Sequence, residues 1–171
     1  MFPTSDIELS VVIPCYNEGE NLDYLFERLA SALNPLAIPY ELICVNDGSK
    51  DDTLDRLIQH HRVNSSIKVV NLSRNFGKES ALSAGLDYTS GAAIVPIDAD
   101  LQDPPELIQD MIAKWREGYD VVYAIRRSRQ GESWLKILTA HLFYRVIGGI
   151  SDVEIPRNTG DFRLLDARVV E

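Results

Sequence analysis

Five short apolar runs recur along this chain, at residues 8–15, 40–46, 67–72, 92–97 and 120–125. Between them lie segments whose apolar residues repeat at helical spacing, at 21–33, 51–62, 78–88 and 104–117. The runs are rich in Val and Ile, nearly continuous rather than alternating, and short enough to read as buried strands. In the first helical segment Leu22, Leu25, Phe26, Leu29 and Leu33 form one stripe, the mark of an amphipathic helix. Asn34 and Pro35 end it, because the residue before a proline is pushed out of the helical region. Strands alternating with helices imply an α/β fold, a doubly wound, mainly parallel Rossmann-like sheet. Strands without polar alternation imply helices on both faces. A chain of 171 residues with 45% apolar content suffices for one such domain and a sizeable core.

In open parallel sheets ligands sit beyond the carboxyl ends of the strands. Here those ends carry Pro14 to Glu18, Asp47, Arg74 to Gly77, and Asp98 to Gln102. Four polar clusters at four equivalent positions point to a binding site. The fourth holds two carboxylates one residue apart, followed by an amide. On an extended chain positions i and i+2 face the same side, so Asp98 and Asp100 are expected to converge. With Gln102 they make an all-oxygen set suited to Mg²⁺ or Mn²⁺. A solvated acidic turn is the other reading of the same residues. Pro104 and Pro105 stop the strand and suit the first turn of a helix. No G-x-G-x-x-G follows the first strand, and no G-x-x-x-x-G-K-[ST] occurs, so no glycine loop cradles a phosphate. A metal-chelated diphosphate reconciles that absence with the acidic pair.

The formal charge of −9 argues against nucleic acid as a partner, which needs a basic surface. Basic residues gather late, with Arg126, Arg127, Arg129, Lys136 and Arg145 against Glu132. That is either a local anion site or a solvated face. Cys15 and Cys44 lie inside apolar runs and read as buried free thiols in a reducing compartment. His60, His61 and His141 have no metal-ligand spacing. No apolar run reaches the roughly 18 residues of a membrane span. Residues 133–147 hold too many apolar side chains for a narrow stripe, with Lys136, His141 and Arg145 interspersed. They fit an interfacial helix at a bilayer surface or a helix packed on the sheet.

The motifs in order are Val11-Val12-Ile13-Pro14 with Tyr16-Asn17-Glu18, then Val45-Asn46-Asp47-Gly48-Ser49 with Asp51. Ser73-Arg74-Asn75-Phe76-Gly77-Lys78 comes next, and Asp98-Ala99-Asp100-Leu101-Gln102-Asp103-Pro104-Pro105-Glu106 last. Together they resemble the inverting family 2 glycosyltransferases of GT-A fold. Within that family they are most similar to the polyprenyl-phosphate branch, which includes dolichol-phosphate mannose synthases and bacterial undecaprenyl-phosphate glucosyltransferases. The resemblance implies a nucleoside-diphosphate sugar donor, a polyprenyl-phosphate lipid acceptor and a divalent cation, Mg²⁺ or Mn²⁺. It assigns Pro14, Tyr16, Asn17, Glu18 and Asp47 to the nucleotide, and Arg74 and Lys78 to positions near nucleotide or sugar. It makes Asp98 an orienting residue, Asp100 and Gln102 the metal ligands, and Arg126 the receiver of the lipid phosphate. Residues 158–163 match a late motif flanking the acceptor. There Asp161 is a candidate catalytic group whose role as base, sugar ligand or partner of Arg163 stays open.

Members of this branch continue into interfacial and transmembrane helices, whereas the sequence stops at Glu171. The expectation is therefore a single catalytic domain, residues 1–171, lacking C-terminal membrane helices and working at the cytoplasmic face of the cell membrane. A further acceptor-binding basic residue falls near Leu135 or Lys136. The resemblance implies a UDP-sugar, glucose first, because the Asn158-Thr159-Gly160-Asp161-Phe162-Arg163 form looks more like the bacterial glucosyl branch than the mannosyl one. A phosphate monoester is largely dianionic at neutral pH, its second pKa being about 6, so the need for a general base weakens. An alcohol acceptor needs one, and a family member acting on a carbohydrate hydroxyl is the alternative. A nucleotide-sugar-binding module without catalysis is another, although Asp98, Asp100 and Gln102 are all present. The sequence leaves homo-oligomerisation open.

Overall fold

The computed structural model describes residues 7–125 and 159–170. Strands β1 (Leu9–Cys15), β2 (Tyr40–Asn46), β3 (Ile67–Asn71) and β4 (Ala93–Pro96) alternate with helices α1 (Leu22–Leu33), α2 (Thr53–Val63) and α3 (Lys78–Leu86). Helix α4 (Leu107–Arg116), strands β5 (Val121–Ile125) and β6 (Thr159–Asp166), and the short turn α5 (Ala167–Val170) complete the described elements. The chain divides into a unit of residues 1–123 and 161–171 and a second of residues 124–160. The helices and the cleft described below belong to the first.

The sheet runs β3-β2-β1-β4-β6-β5. β1 pairs in parallel with β2 and β4, and β2 with β3. Leu9, Val11, Val12, Ile13 and Cys15 have no exposed surface, as a strand between two others and under helices requires. Side chains alternate between faces along a strand, and the two faces are built differently. One carries Val12, Ile43 and Val45, and α3 lies on it so closely that a Cβ on Gly85 would stand 2.4 Å from a Val12 methyl. The other is covered by α1, in contact with both α2 and α4. Leu22, Leu25, Leu29 and Leu33 of α1 are fully buried, each contributing roughly 1.5–3 kcal/mol by leaving water. Replacing Leu29 by Ala would cost about 2–5 kcal/mol.

Two expectations need correction. The sequence reading found five strands, and the sheet has a sixth. β6 enters between β4 and β5 and runs antiparallel to β4, with Ala93 opposite Asp166 and Ile94 opposite Leu165. Its Thr159-Gly160-Asp161 start disguised it, because Gly and Asp are poor strand formers. Phe162 and Leu164 are buried within it. Helix α4 starts at Leu107 rather than Pro104, although Leu107 and Ile108 donate to the Pro104 and Pro105 carbonyls. The prolines form a tight lead-in turn. Among the described residues no helix is long and apolar enough to cross a membrane.

Candidate active site

The loops after β1 and β2 brace each other at the carboxyl edge of the sheet. The Asn17 amide donates to the Ser49 hydroxyl (3.0 Å), and the Lys50 amide returns a bond to the Asn17 side chain (2.8 Å). The Glu18 amide donates to Thr53 Oγ1 (2.9 Å) and the Gly19 amide to Asp51 (3.1 Å). Asn17 holds φ +56°, a left-handed value that Asn tolerates better than most residues. Burial would raise the Asp51 pKa, but bonds from the Thr53 hydroxyl and amide and from Gly19 hold it below its ordinary value. With these backbone groups satisfied, Tyr16 remains 40% exposed at the cleft.

Asp47 is turned inward. It is 2% exposed, and its two oxygens accept the amides of Phe76 (2.8 Å) and Gly77 (2.9 Å). One buried carboxylate thus fixes the loop before α3 and with it the position of Lys78. Gly48 is required beside it. Its φ is +63°, and a Cβ there would stand 2.3 Å from the backbone of Arg74. Lys78 opens α3 and pairs with Asp98 at 2.7 Å.

The Asp98 to Gln102 segment differs from the expected extended chain. β4 ends at Pro96, and residues 98–101 form a turn in which the Leu101 amide reaches the Asp98 carbonyl (3.3 Å). Leu101 adopts φ +53°, unusual for a branched side chain and found where surroundings impose it. Asp98 and Asp100 therefore owe their shared cleft to a turn, not to strand alternation. Asp98 meets Lys78. Asp100 accepts the Gln102 amide (3.1 Å) and its Nε2 (2.9 Å).

A cleft of about 290 Å³ lies over these loops, lined by Pro14, Tyr16, Glu18, Asp47, Lys78 and Asp100 among others. Cys15, Asn75, Asp98 and Ala99 also line it. A second, small cavity of about 40 Å³ shares Pro14, Lys78 and Asp98 with the first and extends over Leu82, Pro96, Phe162 and Arg163. The antiparallel direction of β6 brings Phe162 and Arg163 to this end of the sheet. Asn75, inside the strand-end cluster 74–77, lines the first cavity as that cluster implied, whereas sequence reasoning missed Leu82 as a lining residue and the bracing by Ser49, Asp51 and Thr53. The Asp51-x-Thr53 spacing before a helix was the available signal for the last. Arg74 stacks over the Phe76 ring at 4.7 Å and is not among the residues lining the cleft. Asp161 is the third residue of β6. Arg126 and residues 133–147 lie outside the described residues, as does Asn158.

The donor set fits a hard cation. Among the described residues, the first cavity presents carboxylates and no imidazole. Its thiol, Cys15, is buried, and the hydrogen bond with Cys44 and then burial push its pKa well up, so it offers no thiolate. Among the described residues no three His, Cys, Asp or Glu side chains form a complete metal cage. Mg²⁺ characteristically takes one or two carboxylates and completes its shell with water and substrate phosphate, which matches Asp100. Gln102 presently points its nitrogen at Asp100. Rotation of its terminal amide would offer the oxygen instead.

The mainly parallel sheet with an antiparallel sixth strand has the GT-A fold, as superposition on solved glycosyltransferases shows. The model of "Glycosyl transferase family 2" matches residues 10–171, and the chain belongs to that family. It is 66% identical over 96% of its length to the glycosyltransferase sll0501 of Synechocystis sp., covering 52% of that protein. It is 43% identical over 96% of its length to the bactoprenol glucosyl transferase of Shigella phage SfX, covering 54% of that protein. The chain thus spans about half the length of these curated relatives. The glucosyl-3-phosphoglycerate synthase of Mycobacterium tuberculosis, solved with Mn²⁺, uridine diphosphate and phosphoglyceric acid, superimposes with a TM-score of 0.66 at 24% identity. That match covers 95% of this chain and 57% of the other.

Proposed function

We propose that this chain is the catalytic domain of a polyprenyl-phosphate glycosyltransferase, moving a hexose, glucose first, from a UDP-sugar to the lipid phosphate. The observation that carries the reading is the likeness, over nearly the whole chain, to a bactoprenol glucosyl transferase. The acidic cleft supports it. Among the described residues, the carboxylates of Glu18, Asp47, Asp98 and Asp100 line the first cavity with the Lys78 ammonium. A bare diphosphate would be repelled there, so a divalent ion is implied, and the Mn²⁺ bound by the mycobacterial relative agrees with this.

Asp100 and Gln102 would hold that ion, which when bound neutralises the charge growing on the leaving diphosphate. Pro14, Tyr16 and Glu18 form the wall against which nucleoside binds, and Asn17 holds that wall through its bonds to Ser49 and Lys50. Asp47, through the Phe76 and Gly77 amides, sets the base of α3. Lys78 stands beside Asp98 and is placed to carry positive charge toward the diphosphate. The second cavity, with its apolar floor and the Arg163 guanidinium, lies on the side from which an acceptor approaches. Arg126 belongs in this reading as a forked donor to the acceptor phosphate, and Asp161 as a group at the acceptor side. An acceptor carried by a lipid places the enzyme at a membrane, on its cytoplasmic face where nucleotide sugars are made. Residues 133–147 and further helices of a longer protein would supply the contact.

The test is release of UDP from UDP-glucose, run against undecaprenyl phosphate in detergent and against a soluble oligosaccharide, with GDP-mannose as competing donor. Turnover with the lipid phosphate is expected, and Arg126→Ala should lower its kcat/KM about ten- to a hundredfold by removing a charge-assisted hydrogen bond of roughly 1.5–3 kcal/mol. Transfer to the oligosaccharide that depends on Asp161 and ignores Arg126 would refute the lipid-phosphate acceptor.

A further inference from the structure

Behind the cleft, a pair of side chains holds the segment that carries Asp98, Asp100 and Gln102. Arg28 on α1 donates through Nε (3.2 Å) and Nη2 (2.6 Å) to Oε1 of Glu106, the residue that caps α4. Its Nη1 donates to the Tyr24 hydroxyl one turn earlier (2.8 Å), and the guanidinium lies 5.7 Å from the centre of that ring. Arg28 is therefore gripped from two sides. It stands on a helix whose Leu25, Leu29 and Leu33 are fully buried, which roots it in the core. The Glu106 amide and then Arg28 hold the Glu106 carboxyl below its ordinary pKa.

Residues 103–105 are all that separate Glu106 from Gln102. Two of them are prolines, whose φ is fixed near −65°, and backbone bonds from Leu107 and Ile108 close them into a turn. Little slack remains between Glu106 and the ligands. At the far end of the segment Lys78 holds Asp98. Between these anchors the chain makes its one left-handed step at Leu101, which an unanchored loop would relax.

We propose that Arg28 and Glu106 are positioning residues, holding Asp100 and Gln102 in the place where a divalent cation bound with a nucleoside diphosphate is met. The proposal rests on the cation reading of the cleft given above. An exposed ion pair by itself contributes little to global stability. A purely structural role therefore forecasts a small shift in Tm and unchanged cation affinity. Partners that orient metal ligands from outside the coordination shell instead change metal affinity about 10–100-fold when removed.

The measurement is Mn²⁺ binding to the full chain in the presence of UDP, followed by the electron paramagnetic resonance of free Mn²⁺, with UDP binding in a chelator measured alongside. E106A and R28A are each expected to weaken Mn²⁺ binding about tenfold and to leave UDP binding without metal within about twofold. E106Q, which keeps the shape and one acceptor, should fall between and guards against misfolding of the truncation. The reversed pair R28E/E106R should recover most of the affinity. Mn²⁺ affinity within about twofold of wild type in E106Q, E106A and R28A would overturn the proposal. Wild-type UDP binding indifferent to Mn²⁺ would overturn the cation reading itself, and this inference with it.

Discussion

The two ends of the sheet use the same residue types to opposite effect. Where the parallel strands begin, Glu41 is 1% exposed. The Ser10 hydroxyl (2.5 Å) and the Ser90 amide (2.7 Å) donate to one of its oxygens, and Lys68 pairs with the other. Burial would raise its pKa, but Lys68, Ser10 and Ser90 outweigh that and lower it. At the same end Asp166 accepts Trp115 Nε1 (2.7 Å), the Arg168 amide (3.0 Å) and Arg168 Nε (2.8 Å). Arg168 also reaches Asp120 at 2.7 Å. Each carboxylate here has cations and donors enough. Where the strands end, Glu18, Asp98 and Asp100 face a common cleft with Lys78. Buried polar groups that are matched hold a fold together, whereas an excess of one sign facing a cavity is arranged for something that is not protein.

The comparison breaks if the cleft carboxylates turn out to be structural, and Asp100→Ala is the strongest test. Transfer should fall about a hundredfold or more, equivalent to about 2.7 kcal/mol of barrier, while Tm barely moves. Retention of more than about a tenth of the wild-type rate would remove Asp100 from the site. Next in size is the opposite outcome at the other end. Glu41→Ala leaves Ser10 and the Ser90 amide without their acceptor and should cost about 2 kcal/mol of stability, lowering Tm by roughly 4–8 °C. Rate per folded molecule should hold; a loss like that of Asp100→Ala would mean the two ends are not independent.

The smallest effect is the pH dependence of Asp166. Its folded pKa is depressed, first by Arg168 and then, against the cost of burial, by Trp115. Such a group contributes stability that is complete above the unfolded value of about 3.9 and is lost as pH falls toward the folded one. Asp166→Asn should therefore lower Tm by roughly 2–4 °C at pH 7, with the gap narrowing below about pH 4. A gap that is constant from pH 7 to pH 3, followed by thermal unfolding, would show that the bond geometry and not the charge matters.

Most of the strand and helix assignment was legible because hydrophobic periodicity is local. β2 spans residues 40–46 as read, and α1 differs by one residue from the helix expected at 21–33. The polar clusters at strand ends were legible for the same reason, since direction along a parallel sheet follows from the alternation alone. Pro14, Tyr16, Glu18, Asp47, Lys78, Asp98 and Asp100 do meet around one cleft. Arg74, expected near nucleotide or sugar, stacks over Phe76 at the loop before α3.

What the tertiary structure alone decided is which groups partner one another across long stretches of chain. Asp47 looks in sequence like any turn aspartate, yet it is buried on the amides of residues 29 and 30 positions away. Arg28 and Glu106 are 78 residues apart, and no spacing rule links them. β6 takes its place and its antiparallel direction from the gap between β4 and β5, not from its own weak pattern. Asp98 and Asp100 share a cleft through the turn closed by the Leu101 amide on the Asp98 carbonyl, which strand alternation did not foretell. Side-chain period and turn chemistry act within a few residues and can be read from order. Close packing acts between surfaces, and it assigns partners only once those surfaces have met.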